Sequence, residues 1–227
     1  TVTATNLPTS FAATGLPTGL SINTSTGVIS GTPTQTGTFN VVLIGTNASG
    51  TGSPSTLVLT VSKAVLTVTA NDNSRDYGTP NPTLSVRFAG FVTGDTAGSL
   101  TTVPTVTTSA TLTSDVGTHP LTPGGGISSN YDFVYVNGTF TINKADATIV
   151  LGNLSQTFTG AAGAVTATTT PAALQVVLTF AGGSSVPVNA GTYAVAATIN
   201  DPNYQGSTTG TLTIAKAVAA VTLGNLS

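Results

Sequence analysis

Cysteine, methionine, tryptophan and glutamate are all absent from this sequence of 227 residues, and only 5% of its positions carry charge. Without cysteine there is no disulfide framework and no thiolate nucleophile. The joint lack of cysteine and glutamate excludes zinc sites and any glycosidase carboxylate pair that uses glutamate, so paired aspartates remain only formally possible. The missing tryptophan removes the preferred stacking face for sugars. Five Lys and Arg against seven Asp give a formal charge of −2 with no basic cluster, which leaves nucleic acid and acidic polysaccharides without the cations they need. No apolar run approaches the roughly 18 residues of a membrane helix, so no membrane insertion is expected in this segment.

Thr, Ser, Gly, Ala and Val fill the vacated positions. β-branched Thr and Val favour extended backbone, while 26 Gly and 12 Pro supply turns and discourage long helices. With 39% apolar residues in short alternating runs, the chain has enough for several small cores. An all-β fold follows. The same composition, poor in Lys and rich in small and hydroxylated residues, points to an exported protein at the cell surface.

Internal repetition sets the organisation. Three segments end alike, in VSKA, INKA and IAKA, on Lys63, Lys144 and Lys216, which lie 81 and then 72 residues apart. Two residues before each lysine stand Val61, Ile142 and Ile214, and four before stand Leu59, Phe140 and Leu212, the period-two burial of a terminal strand. Upstream, Gly37, Gly117 and Gly191 open a Gly-Thr strand signal 26, 27 and 25 residues before those lysines. This pattern reads as a closing hairpin, and Asn137-Gly138 carries the signature of a type I′ turn. The segments are therefore 1–63, 64–144 and 145–216, and 217–227 is either the opening strand of a further repeat or a free tail. No linker separates them, which predicts tandem immunoglobulin-like β-sandwiches in an elongated rod.

The phrases within these segments carry family resemblances. GLPTGLSINTSTGVISGTP resembles an immunoglobulin-like repeat of bacterial surface proteins, and that resemblance implies a first strand lying outside residues 1–63. TANDNSRDYGTPNP and GFVTGDT in the second segment resemble the MBG family, mostly bacterial immunoglobulin-like domains; the third segment, from IVLGNLS to TIAKA, is similar to a sister MBG-type repeat. The resemblance implies tandem sandwiches in exported adhesins and other surface proteins. It transfers no catalytic or ligand residue.

The single histidine, His119, follows Gly-Thr where the other segments have Phe39 and Tyr193, so it is expected to fill an aromatic strand position and not to shuttle protons. Asp72 with Asp76, and Asp146 at a junction, are too sparse for a calcium cage. Lys63, Lys144 and Lys216 sit at segment ends, unsuited to a buried isopeptide bond and suited to capping or solvating a junction. Tyr77, Tyr131 and Tyr204, in loop-like stretches, are expected to pack locally before they serve as a sugar platform. No catalytic, cofactor or metal residue is assigned. Val218, Val221, Leu223 and Leu226 form an apolar stripe that could add a strand to another sheet.

These features point to a non-enzymatic stalk or adhesion segment of a surface protein, with neighbouring repeats of the same protein as its first partners. The alternatives are a filament subunit joined head-to-tail to copies of itself by strand addition, and a carbohydrate-binding module of a secreted enzyme. A host or surface receptor has no signature here.

Overall fold

In a computed structural model the chain is described over residues 1–222, and those residues contain no α-helix. They are all β, in immunoglobulin-type sandwiches. The first segment carries β1 (Ser10–Thr14), β2 (Leu20–Ile22), β3 (Ile29–Gly31), β4 (Gly37–Asn47), β5 (Gly50–Thr51) and β6 (Ser55–Val61). The second carries β7 (Ala64–Ala70), β8 (Asn73–Asp76), β9 (Val86–Ala89), β10 (Thr105–Thr107), β11 (Gly117–Gly124), β12 (Tyr131–Val136) and β13 (Gly138–Asn143). The third carries β14 (Ala145–Asp146), β15 (Thr148–Gly152), β16 (Ser155–Thr157), β17 (Thr166–Thr170), β18 (Val176–Phe180), β19 (Gly191–Ile199), β20 (Tyr204–Gln205) and β21 (Ser207–Ala215). Segments follow one another through Ser62-Lys63 and through Lys144 alone.

By contact density the chain forms two compact units, one of residues 1–71, 84–107 and 121–138, the other of residues 72–83, 108–120 and 139–227. The middle segment contributes to both. In the first unit β4 is the hub, antiparallel to β1, β5 and β6, with Gly37 opposite Val61. Val41 on β4 is fully buried, whereas Leu59 and Val61 on β6 are only half-buried. The β2–β3 hairpin explains two glycines of the GLPTGLS…ISGTP phrase. Gly19 at φ +90° and Gly31 at φ +125° approach each other's backbones so closely that a Cβ on Gly31 would lie 2.1 Å from the Gly19 carbonyl oxygen. Also in this unit, β7 runs between β12, parallel, and β9, antiparallel. Leu66, Val68, Leu100 and Tyr131 form its core, with Phe88, Phe91 and Phe133 packed against them.

The second unit holds the whole third sandwich. One sheet has the order β16-β21-β19-β18 and the other pairs β15 with β17. Alternation along β19 points Val195, Ala197 and Ile199 inward, and Leu212 and Ile214 on β21 join them. Ile149 on β15 and Phe180 on β18 complete two clusters of one core. Gly191 lies opposite Ile214, the same register as Gly37 with Val61. The repeat alignment is thus a register alignment. Within LGNLS, Asn153 takes φ 58°, a left-handed conformation that asparagine tolerates, and there the chain leaves β15 and its partner β17 to enter β16 beside β21.

In this unit β13 lies parallel to β8, and Arg75 on β8 is 7% exposed. Its guanidinium donates to Asn81 Oδ1 (2.7 Å), to the Asp76 carbonyl (3.0 Å) and to the Thr111 carbonyl, and stands over the Phe140 ring. Asn81 in turn donates to the Ala110 carbonyl at 2.7 Å. Arg75 of TANDNSRDYGTPNP is therefore the buried centre of a polar network that ties loops down.

One expectation is corrected. Asn137-Gly138 makes no hairpin turn: neither residue adopts the positive φ of a type I′ turn, and β12 and β13, on either side of it, pair parallel with β7 and β8 respectively. Asn-Gly permits that turn, but the partners on offer to the two strands decide their course.

Gly31→Ala is expected to lower stability by about 2–4 kcal/mol, since a strained φ and a backbone clash coincide there. Gly124→Ala, with no atom within 4 Å of the added carbon, should stay within about 0.5 kcal/mol. Urea unfolding midpoints of the two variants check both.

Candidate functional site

The feature built twice in this chain is a junction. At the end of the first segment, Lys63 Nζ donates to the Ser128 carbonyl (3.1 Å) and Ala64 N–H donates to the Asn130 carbonyl (2.9 Å). The Asn130 side chain reaches back across the boundary: its Oδ1 accepts from Thr36 N–H at 3.4 Å and its Nδ2 donates to the Thr34 carbonyl at 3.3 Å. Thr36 Oγ1 adds a 2.8 Å bond to the Ser129 carbonyl.

At the end of the second segment the lysine, alanine-amide and asparagine Oδ1 contacts recur, while the asparagine Nδ2 finds a different acceptor. Lys144 Nζ donates to the Asp201 carbonyl (2.7 Å), Ala145 N–H to the Asn203 carbonyl (3.0 Å), and Val116 N–H to Asn203 Oδ1 (2.9 Å). Asn203 Nδ2 donates to Asp115 Oδ1 at 2.9 Å. Each asparagine is presented by the same local turn. Ser128 Oγ accepts from the N–H groups of Asn130 and Tyr131, as Asp201 Oδ1 accepts from those of Asn203 and Tyr204. Thr36 and Val116 each immediately precede the aligned glycine, Gly37 or Gly117. A carboxamide suits the task because it accepts and donates at once and carries no charge to desolvate. With about 1 kcal/mol net per bond, each latch amounts to a few kcal/mol of tethering.

The tyrosine after each asparagine anchors the turn. Tyr131 is 2% exposed; its O–H donates to Asp95 Oδ2 at 2.6 Å and accepts from Val92 N–H at 3.0 Å, while Phe91 meets its ring edge-on. Burial pushes the Tyr131 phenol above its ordinary value, the bond to Asp95 adds to this, and the Val92 N–H pulls the other way. Tyr204 packs edge-to-face on Tyr77, with centroids 5.4 Å apart. Tyr77 and Tyr204 are both half-buried. An open cleft of about 480 Å³ lies beside the first latch, lined by Thr34, Val61, Phe91, Asp95, Asn130 and Tyr131. Its Tyr131, Asp95 and Asn130 side chains already hydrogen-bond to protein groups, as given above.

His119 is half-buried on β11, with Nε2 3.4 Å from the Asp115 carbonyl oxygen, just as Tyr193 Oη donates to the Asn189 carbonyl at 3.0 Å; it fills the aromatic position. Asp72 Oδ1 accepts from Thr139 N–H and Asp146 Oδ1 from Gln205 Nε2. Among the described residues no three His, Cys, Asp or Glu side chains gather as a metal would require. Lys63 and Lys144 cap junction carbonyls, and Lys63 also stands 3.7 Å from exposed Asp132, a pair worth at most about 1 kcal/mol. Val218 and Val221 are 96% and 87% exposed, and Leu223 and Leu226 lie outside the described residues. Asn130 and Asn203 escaped the sequence reading, although the shared Asn-Tyr dipeptide, 14 and 13 residues before Lys144 and Lys216, was there to be found.

Residues 1–62 match the family described as "Putative Ig domain", 66–141 the MBG domain of YGX type, and 147–218 the MBG domain. The chain is one Ig-like domain followed by two MBG domains. No curated protein matches it. Among solved structures, Drosophila N-cadherin EC1-3 overlaps 95% of this chain and 92% of its own at 9% identity and TM-score 0.27. Drosophila N-cadherin EC1-4 gives 13% and 0.23 over 95% and 69% of the two chains. A glycoside hydrolase family 107 endo-fucoidan hydrolase gives 15% and 0.21 over 93% and 39%. Likeness this shallow implies no shared ligand or activity. The latch asparagines both belong to MBG domains, and each clasps the domain before it.

Asn203→Ala is expected to speed hydrogen exchange of the Val116 amide roughly fivefold, and Asn130→Ala to speed that of Thr36 by less, its bonds being longer. Amide exchange by NMR measures both. Tyr131 has a folded pKa above its unfolded one, so its stabilisation is complete below about pH 10 and is lost as pH rises through the folded value. Tyr131→Phe should remove that alkaline loss, as urea midpoints between pH 7 and 11 would show.

Proposed function

We propose that this chain is a non-enzymatic stalk segment of a bacterial surface protein, one that carries load between whatever stands at its two ends. The observation that supports it is the twice-built latch: two successive domain boundaries, each crossed through one or two residues, are clasped by the same lysine, alanine amide and asparagine. A loosely tethered series of binding modules has no need of such clasps. Ig-like and MBG repeats are typical of surface proteins, and no helix among the described residues is long and apolar enough to cross a membrane. The partners in this reading are neighbouring repeats of the same protein, together with a receptor engaged elsewhere. A Thr-rich, weakly charged surface stays hydrated while offering few strong electrostatic contacts, which fits a spacer.

A segment that carries load unfolds stepwise under force. Pulled from its termini in a single-molecule force experiment, the chain should unfold in separate steps, and a sandwich the size of segment 145–216 should release its contour of about 250 Å, at roughly 3.5 Å per residue, less the span of the folded sandwich. Extension without discrete steps, at forces no greater than those that stretch an unfolded chain, would sink the stalk reading.

A further inference from the structure

The end of the third sandwich repeats the receiving half of the latch. Lys216 and Ala217 stand where Lys63-Ala64 and Lys144-Ala145 stand, and Ala190 immediately precedes Gly191 as Thr36 precedes Gly37 and Val116 precedes Gly117. The strand register makes the placement geometric as well as sequential, because Gly191 lies opposite Ile214 as Gly37 lies opposite Val61. Ala190, Lys216 and Ala217 are all exposed. In the two filled latches the matching amides and ammonium groups are taken by an Asn-Tyr turn.

The first segment carries the corresponding turn in altered form. Asn47 lies ten residues after Gly37, as Asp201 lies ten after Gly191, and its Oδ1 accepts from Ser49 N–H at 2.9 Å as Asp201 Oδ1 accepts from Asn203 N–H. Ser49-Gly50 therefore stands where Asn203-Tyr204 stands. A serine hydroxyl is shorter than a carboxamide and lacks its opposed donor and acceptor. The Asn47 carboxamide, for its part, is engaged locally, its Nδ2 donating to the Asn6 carbonyl at 2.7 Å.

We propose that the surface formed by Ala190, Lys216 and Ala217 binds a module of the MBG kind through a Ser/Asp-x-Asn-Tyr turn, and that the first segment of another copy of this chain cannot take its place. The asparagine Oδ1 accepts from Ala190 N–H, its own carbonyl accepts from Ala217 N–H, and the carbonyl two residues earlier accepts from the Lys216 ammonium. This rests on reading the segments as one repeating array. It does not rest on the array bearing load, so the two can fail separately: the latch is tested in unloaded solution and the stalk under force.

The test extends the chain after Ala217 with a second copy of residues 146–216 and follows the Ala190 amide by hydrogen exchange. Protection of Ala190 should rise roughly fivefold over the unextended chain, and Asn→Ala at the copied position 203 should abolish the gain while leaving Val116 unchanged. A second extension, carrying a copy of residues 65–144 with its Asn130, should protect Ala190 in the same way and keeps the proposal testable if the first copy does not fold. Equal exchange with and without both extensions would overturn the proposal, as would protection that survives the asparagine substitutions. In the unextended chain, Ala190 exchange should not change with protein concentration; slowing at millimolar concentration would show that copies of the chain suffice, and would overturn the exclusion of self-association through this surface.

Discussion

The backbone at the end of one sandwich has to find hydrogen-bond partners in the next, and the rest of this structure is arranged around that demand. Ala64 and Ala145 begin strands, and their N–H groups are paired with the carbonyls of Asn130 and Asn203. A buried or half-buried amide left unpaired costs about 1–3 kcal/mol. Domains joined through one or two residues cannot hide such groups in a flexible linker, so the turn that meets them must present acceptors at fixed positions. The Ser128 and Asp201 side chains fix those turns from within, and the tyrosines that follow fix them from behind.

Scarcity of charge explains why asparagine does this work. The chain has twelve Lys, Arg and Asp residues in all, and among the described residues the single ion pair, Lys63 with Asp132, is exposed. A junction held by exposed ion pairs would weaken with salt, whereas neutral carboxamide bonds are screened little. The lysines still contribute, but as donors to main-chain carbonyls. Arg75 follows the same rule inside the second unit, where its charge is met by carbonyl oxygens and Asn81 and not by a carboxylate.

Much of this was legible in the sequence because repetition supplies its own alignment. The terminal-strand positions ahead of the lysines hold Phe140, Ile142, Leu212 and Ile214, all buried, and His119 fills the place of Phe39 and Tyr193. Leu59 and Val61 remain half-buried because the first segment has a smaller core, a difference that alternation alone does not reveal. Asn137-Gly138 misled for a physical reason: a dipeptide reports which turns are allowed, while strand pairing depends on residues far away in sequence. The latch was invisible because its partners lie about ninety residues apart, Thr36 with Asn130 and Val116 with Asn203. Asparagine in a loop looks like ordinary turn chemistry until the other end of its hydrogen bonds is known.

The latch also has a direction. Its asparagine always belongs to the following domain and its amide donors to the preceding one, so a domain needs different features at its two ends. MBG segments 64–144 and 145–216 carry the asparagine turn at one end and the lysine-alanine pair at the other, which makes them complete links. The Ig-like segment has the lysine-alanine pair but Ser49-Gly50 in place of Asn-Tyr. It offers the lysine-alanine pair to a following domain and no matching carboxamide to a preceding one. A shuffled arrangement, with the Ig-like segment placed after an MBG domain, would leave the strand-end amide facing a turn that has no carboxamide to receive it, although main-chain carbonyls would still be there for the lysine and the alanine amide.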